Sequence, residues 1–480
     1  MRIVGKLCEH YKSFSLITKA SLWFVAVTII DKAIAVLTQP FINRILSVGE
    51  VGIYGVYNSW YSVVSIIATF NLFGGVLEVY LTKEEAYKEK VISSLSSLCI
   101  LISMFFAIIC TIFNKDVVTF SGLKSIYIYL MIFTALSDAL IQFWAVPKRY
   151  EYSYKEYSIL IVTLFAIKSV LSVVLAWAFE DDRVLGRILG LSIPQIIVAI
   201  IIYSRIIKKT GIRQISRYWK KALLFNLPLI PHYLSTVILS SSDRIIIQKL
   251  TSDAHAGLYS VAYSFSSLAL IVFSSINSAY NPFSMRAIKN HEYEKLSIVT
   301  EKIVAVSVLF SLIMMLLAPE GLYILGGDRY LEAKSIVPIL VVGIFFSTFY
   351  YVFSNIEFVY EKTKYIFPIT VIGAFINVFL NYLLIPRYGY EVAAYTTLIG
   401  YIIIALSHYI VSYRIVKKDI FNIKRVSVWL ICLICGSAIT TVLYSWFSIL
   451  RYIIVAIIFL VVIMYLINDK DLTSTIIKRR

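Results

Sequence analysis

Apolar runs of about twenty residues recur along the whole 480-residue chain, separated by short polar joints. A run of that length spans the roughly 30 Å hydrocarbon layer of a bilayer as an α-helix, whereas a barrel would need alternating strands of about ten residues. Hydrophobic residues make up 59% of the sequence, charged ones 15%, and the mean hydropathy is +0.82. This predicts an all-α, polytopic membrane protein.

Reading the runs against their joints predicts about fourteen helices, starting near residues 18, 51, 91, 123, 157, 184, 222, 255, 296, 331, 364, 390, 426 and 449. Placing the N-terminus inside assigns 32 of the 45 basic residues to inner segments, 10 to outer joints and 3 to spans. The alternation follows the positive-inside rule and predicts that both termini are cytoplasmic, with the first span left uncleaved. It also accounts for the net charge of +17, since basic residues scattered between spans do not form a nucleic-acid-binding face.

The outer joints are short, which argues against an enzyme holding an acceptor outside. The sequence has no phosphate-cradling glycine loop, paired catalytic carboxylates in an outer loop or metal cluster. No catalytic residue, metal site or cofactor is assigned. Five cysteines sit in apolar spans or at the N-terminus, so no disulfide framework is expected, and Cys432 and Cys435 are read as packing residues.

"KASLWF…RILSVGEVGIYG" from Lys19 and "KALLFN…IQKLTSDAHAGLYS" from Lys221 share one pattern, with offsets of 202 at Lys19/Lys221 and 205 at Gly52/Gly257. A second match pairs Tyr157 with Tyr365 at an offset of 208. Six spans is an even number, so the copies enter the membrane in the same direction, as a parallel repeat. The expected organisation is an N-lobe at 1–204, a cytoplasmic linker at 205–221, a C-lobe at 222–414, and two further helices with a tail at 415–480.

Four phrases carry a family likeness: "QPFINRILSVGEVGIYG", "LPLIPHYLSTVILSSSDRIII", "AGLYSVAYSFSS" and "INVFLNYLLIPRYGYEVAAYTTLIGY". In order and spacing the chain resembles the polysaccharide-transporter branch of the multidrug/oligosaccharidyl-lipid/polysaccharide exporter superfamily, which holds the flippases for O-antigen and capsule precursors. The resemblance implies a two-lobed, V-shaped carrier with alternating access. It further implies an undecaprenyl-diphosphate-linked oligosaccharide as cargo, moved from the inner to the outer leaflet of a bacterial cell membrane. Polysaccharide polymerase and glycosyltransferases are its expected partners, besides membrane lipids. A cation-coupled drug exporter of the same superfamily and a membrane-embedded glycan-modifying enzyme are the alternatives.

Charges inside spans select the candidate site. Lys32 lies 13 residues from Lys19 and 12 from Arg44, which puts it and Asp31 about 18 Å from either end. Lys168 and Asp138 are also deep. At that depth a charge costs at least about 2.5 kcal/mol unless it is paired or hydrated. The four residues therefore imply either a polar cavity or a neutralising network. A diphosphate needs fixed cations, and Lys32, Lys168 and Arg244 are the intramembrane ones. Gln39, Asn377 and Asn381 are expected to meet sugar hydroxyls, and Asp31, Asp138 and Asp243 form the charge network. By analogy with the superfamily, these aspartates could carry a coupling proton or sodium ion. Pro228 and Pro231 weaken span 7 and are the expected hinge. Arg244 lies about 8 Å from the outer end, where it could snorkel, leaving open whether the Asp243/Arg244 pair is structural or guards the exit. Glu357 and His408 are expected at the inner membrane interface.

Overall fold

The computed structural model describes residues 14–83, 87–210, 216–418, 420–446 and 448–468. The expected basic termini, Cys8 and residues 211–215 of the expected linker lie outside them. The described residues are helical, with no strand. Fourteen principal helices are α1 Leu16–Ile45, α2 Val48–Thr69, α3 Lys88–Ile112, α4 Ser125–Tyr150, α5 Tyr154–Ala178, α6 Arg183–Thr210, α7 Ile230–Leu250, α8 Asp253–Lys289, α9 Tyr293–Leu316, α10 Val337–Val359, α11 Ile366–Tyr388, α12 Val392–Val416, α13 Ile423–Trp446 and α14 Ser448–Asn468; they begin within a few residues of the expected starts except α7 and α10, which begin later because short helical turns precede them. Among the described residues, 12 helices are long and apolar enough to cross a membrane. In α2, one of the other two principal helices, Glu50, Asn58 and several tyrosines dilute the apolar run.

Two compact units divide at Leu234/Ser235. In the N-terminal unit α5 packs against α1 and α6, α4 against α6 and α2, and α3 against α4. In the C-terminal unit α12 packs against α11 and α10, and α10 against α8 and α9. Shifted by six helices, four of these five pairings recur, while the extensive packing of α1 on α5 has no counterpart of similar extent between α7 and α11. The repeated polar turn has a local cause. Ser47 caps α2, accepting from the Glu50 amide while Glu50 accepts from the Ser47 amide, and Ser252 caps α8 by accepting from the His255 amide.

Tight approach positions α5 against α6. Gly186 and Gly190 lie one turn apart on α6, and a Cβ on Gly190 would sit 2.4 Å from the Cα of Ser172, one on Gly186 2.2 Å from the Leu175 carbonyl oxygen. Small residues at this spacing let membrane helices touch backbone to backbone. Before α7 comes a short helix, Trp219–Asn226, and a 3₁₀ turn, Leu227–Leu229, that contains Pro228. The missing proline amide explains the change of winding. α8 breaks at Ser267 into two helical pieces.

α13 and α14 pack on α9, outside the repeated set. Arg451, 5% exposed, holds them there: its guanidinium donates at 2.8 Å and 3.2 Å to the two Glu320 oxygens and at 2.8 Å to the Leu316 carbonyl. Burial raises the pKa of Glu320, but hydrogen bonds from Arg451 and Tyr452 outweigh it and hold the carboxyl below its ordinary value. Cys432 and Cys435 on α13 are exposed, correcting their expected packing role, because the helix turns that side away from α9 and α10; Cys99 and Cys110 are buried.

Two outcomes are expected. Replacing Gly190 by leucine should force α5 from α6 and destabilise the protein by about 1 to 3 kcal/mol, read from its thermal midpoint in detergent. A depressed carboxyl stabilises the fold above its unfolded pKa and loses that contribution as pH falls through the folded value. Arg451→Ala should therefore lower the midpoint at pH 7, with the deficit shrinking below about pH 4.3.

Candidate functional site

The N-terminal unit gathers the deep charges. Asp31 sits midway along α1, half-buried, with Lys32 exposed beside it. α1 packs along α5, bringing Asp31 within Coulombic reach of Lys168, and α4 brings Asp138 within reach of the same ammonium. One lysine thus stands between two aspartates from different helices.

Lys168 is held rather than free. Its ammonium lies 3.3 Å from the Gln195 side-chain oxygen and 4.6 Å from the centre of the Phe165 ring. Gln195 is buried, and its amide nitrogen donates at 3.2 Å to the Thr134 carbonyl, which aims its oxygen at the lysine. Thr134 donates at 2.7 Å to Ser192. On α2, Tyr61 donates to Asp138. The cluster therefore links α1, α2, α4, α5 and α6 at membrane depth through alternating charges and polar donors. Exposed Lys32 is its accessible cation. Gln39, two turns further along α1, is half-buried and engaged in an interaction of its own.

The C-terminal unit solves its deep charge differently. Asp243, 1% exposed, points into the packing of α7, α8, α11 and α12. Its Oδ2 accepts from Thr397 at 2.6 Å and Tyr259 at 2.7 Å, and its Oδ1 from Asn381 at 2.8 Å and Asn377 at 3.3 Å. Thr396 donates at 2.5 Å to the Asn381 oxygen, and Asn377 also donates at 3.0 Å to Thr397. Asn377 and Asn381 are fully buried, so here their amides satisfy the carboxylate. Arg244, the next residue, leaves in another direction, its guanidinium 4.4 Å from the centre of the Tyr263 ring. The four donors on Asp243 do not include that guanidinium, which is supported by an aromatic face.

Glu357 and His408 are a correction. Both side chains are 0% exposed, with His408 Nδ1 2.6 Å from Glu357 Oε1 and Tyr350 stacked on the imidazole. α10 and α12 pack so closely along this length that the pair is sealed inside instead of reaching the interface. Tyr61, Gln195, Tyr259 and Thr397 were missed by sequence reasoning. Gln195 left a signal, a long amide inside the apolar "SIPQIIVAI"; the others carry only hydroxyls common in membrane helices. Among the described residues no group of three or more His, Cys, Asp or Glu could hold a metal ion.

Comparison with known proteins gives one family and one fold. A family model described as "Polysaccharide biosynthesis protein" matches residues 17–288, and a second, MatE, matches residues 228–383. "Lsg locus putative protein 1" of Haemophilus influenzae is 22% identical over 359 residues, covering 72% of this chain and 86% of that protein. Among solved structures, the lipid II flippase MurJ in an inward closed conformation is similar at a TM-score of 0.67 and 16% identity, covering 92% of this chain and 99% of MurJ. An inward-facing multidrug resistance MATE transporter of the MOP superfamily follows at 0.60 and 15% identity, covering 83% and 95%.

Asp243→Asn should set an amide donor against four donors already in place and cost about 1 to 3 kcal/mol per group left unpaired, seen as lost monodisperse yield in detergent. Arg244→Gln, on the aromatic face, should leave the yield unchanged.

Proposed function

Because this chain belongs to the polysaccharide biosynthesis protein family, we propose that it carries an undecaprenyl-diphosphate-linked oligosaccharide from the inner to the outer leaflet by alternating access. The observation that carries the reading is the mid-membrane cluster around Lys168, with exposed Lys32 beside it. Two ammonium groups at that depth suit a diphosphate, which water-poor surroundings make them bind strongly. The fold shared with a lipid II flippase supports a lipid-linked cargo. O-antigen, capsule or exopolysaccharide units fit equally, with glycosyltransferases supplying the cargo and a polymerase consuming it. The protein would sit in the bacterial cell membrane with both termini cytoplasmic.

In this reading Lys32 makes first contact and Lys168 fixes the diphosphate. Asp31 and Asp138 balance the lysines while the site is empty. When the diphosphate takes their place beside Lys168, the carboxylates need a new counter-charge, and a proton or sodium ion supplies it. Gln39 and Arg244 would meet cargo further along the path. Asp243, with Asn377 and Asn381, would keep the C-terminal unit rigid. The change of winding at Pro228 and Pro231, a few residues before the boundary between the units, would be the hinge.

Export of a drug-like cation is the second reading, favoured by the two carboxylates Asp31 and Asp138 and by the fold shared with a MATE transporter. The lysines separate the two. In a flippase-deleted strain, Lys32→Gln and Lys168→Gln should each lower surface polysaccharide at least about tenfold at normal membrane abundance, with Lys32→Arg retaining export. Full export by both glutamine variants would remove the diphosphate site.

A further inference from the structure

We propose that a slot in the N-terminal unit, separate from the Lys168 cluster, binds one anionic phospholipid drawn from the surrounding bilayer. The slot encloses about 460 Å³ between α3, α4, α5 and α6, a volume within the range of small-molecule sites. Its inner wall is hydrocarbon, including Phe143, Trp144, Leu160 and Val198. Ile201, 47% exposed, lines it as well, so the slot opens sideways onto the outer face of α6, as the tail of a bilayer lipid requires.

One end of the slot is charged. Lys88, Lys148, Arg205 and Lys209 line it together with Glu89 and Glu151, a net charge of +2. Most of these charges are already matched: Lys88 pairs with Glu151, Lys209 with Glu89, and Lys148 with Glu156 at 2.6 Å. Arg205 is exposed and has no ion pair or hydrogen bond among the described residues. A hydrocarbon slot ending at an uncommitted guanidinium, inside a rim of net positive charge, is complementary to a hydrocarbon tail carrying an anionic phosphodiester. The ion pairs tie the ends of α3, α4 and α6 together, so a lipid seated there would brace the three helices. By the positive-inside alternation this end belongs to the cytoplasmic leaflet.

None of the lining residues belongs to the Lys32, Lys168, Asp31 and Asp138 cluster, so the slot stands or falls independently of the cargo. The full-length protein, purified in detergent, is incubated with phosphatidylglycerol, phosphatidylethanolamine or phosphatidylcholine at equal concentration, and retained lipid is counted by native mass spectrometry. Wild type should retain one phosphatidylglycerol above the level of the two zwitterionic lipids. Arg205→Gln, a surface change that leaves the fold intact, should weaken that retention about fivefold. Val198→Trp, which fills the slot, should abolish it, with an unchanged gel-filtration profile reporting that the variant is folded. Equal retention of all three lipids by wild type, or phosphatidylglycerol retention unaffected in Arg205→Gln, would overturn the proposal.

Discussion

Hydrocarbon solvates neither peptide groups nor ions, and every level of this structure follows from that constraint. Backbone groups are satisfied within helices because no other spanning element satisfies them locally. Charges that remain at depth must be neutralised, supplied with donors, or given access to water. The two units show different answers. Around Lys168 charges of opposite sign face one another and one lysine stays exposed; around Asp243 a single carboxylate is enclosed by hydroxyl and amide donors. The first arrangement leaves an ammonium accessible, while the second has spent its hydrogen-bonding capacity on itself.

That contrast is set on two similar sets of helices. Both units share most of their helix pairings and a serine-capped turn after the first helix of each set, as the sequence repeat predicts. The polar residues placed on them differ. One unit therefore keeps an accessible ammonium beside its polar cluster, and the other encloses its carboxylate in donors.

The sequence made the helices legible because span length and charge alternation depend only on neighbours along the chain. It also exposed Asp31, Lys32, Asp138 and Lys168, since depth is arithmetic on one helix. Partners were harder to see. Asn377 and Asn381 read as sugar ligands because a stripe of amides on one helix looks the same whether it faces a cavity or a carboxylate 134 to 138 residues earlier in the chain. Glu357 and His408, 51 residues apart, each looked interfacial alone, and only the close packing of α10 on α12 joins them. The glycine pair Gly186 and Gly190 lets α6 touch the backbone of α5, yet nothing in its own helix says which partner it admits.

An anionic lipid-linked glycan, and not a cationic solute, is the proposed cargo. Reconstitution of the purified protein into liposomes loaded with a polyprenyl-diphosphate oligosaccharide on the inner leaflet tests this most directly, with glycan exposure outside followed by a membrane-impermeant lectin. Lectin binding that rises with time, and fails to rise with the undecaprenyl-linked monophosphate of the same glycan, is the predicted result. No movement of the glycan lipid, together with uptake or release of a lipophilic cation by the same vesicles, would contradict it.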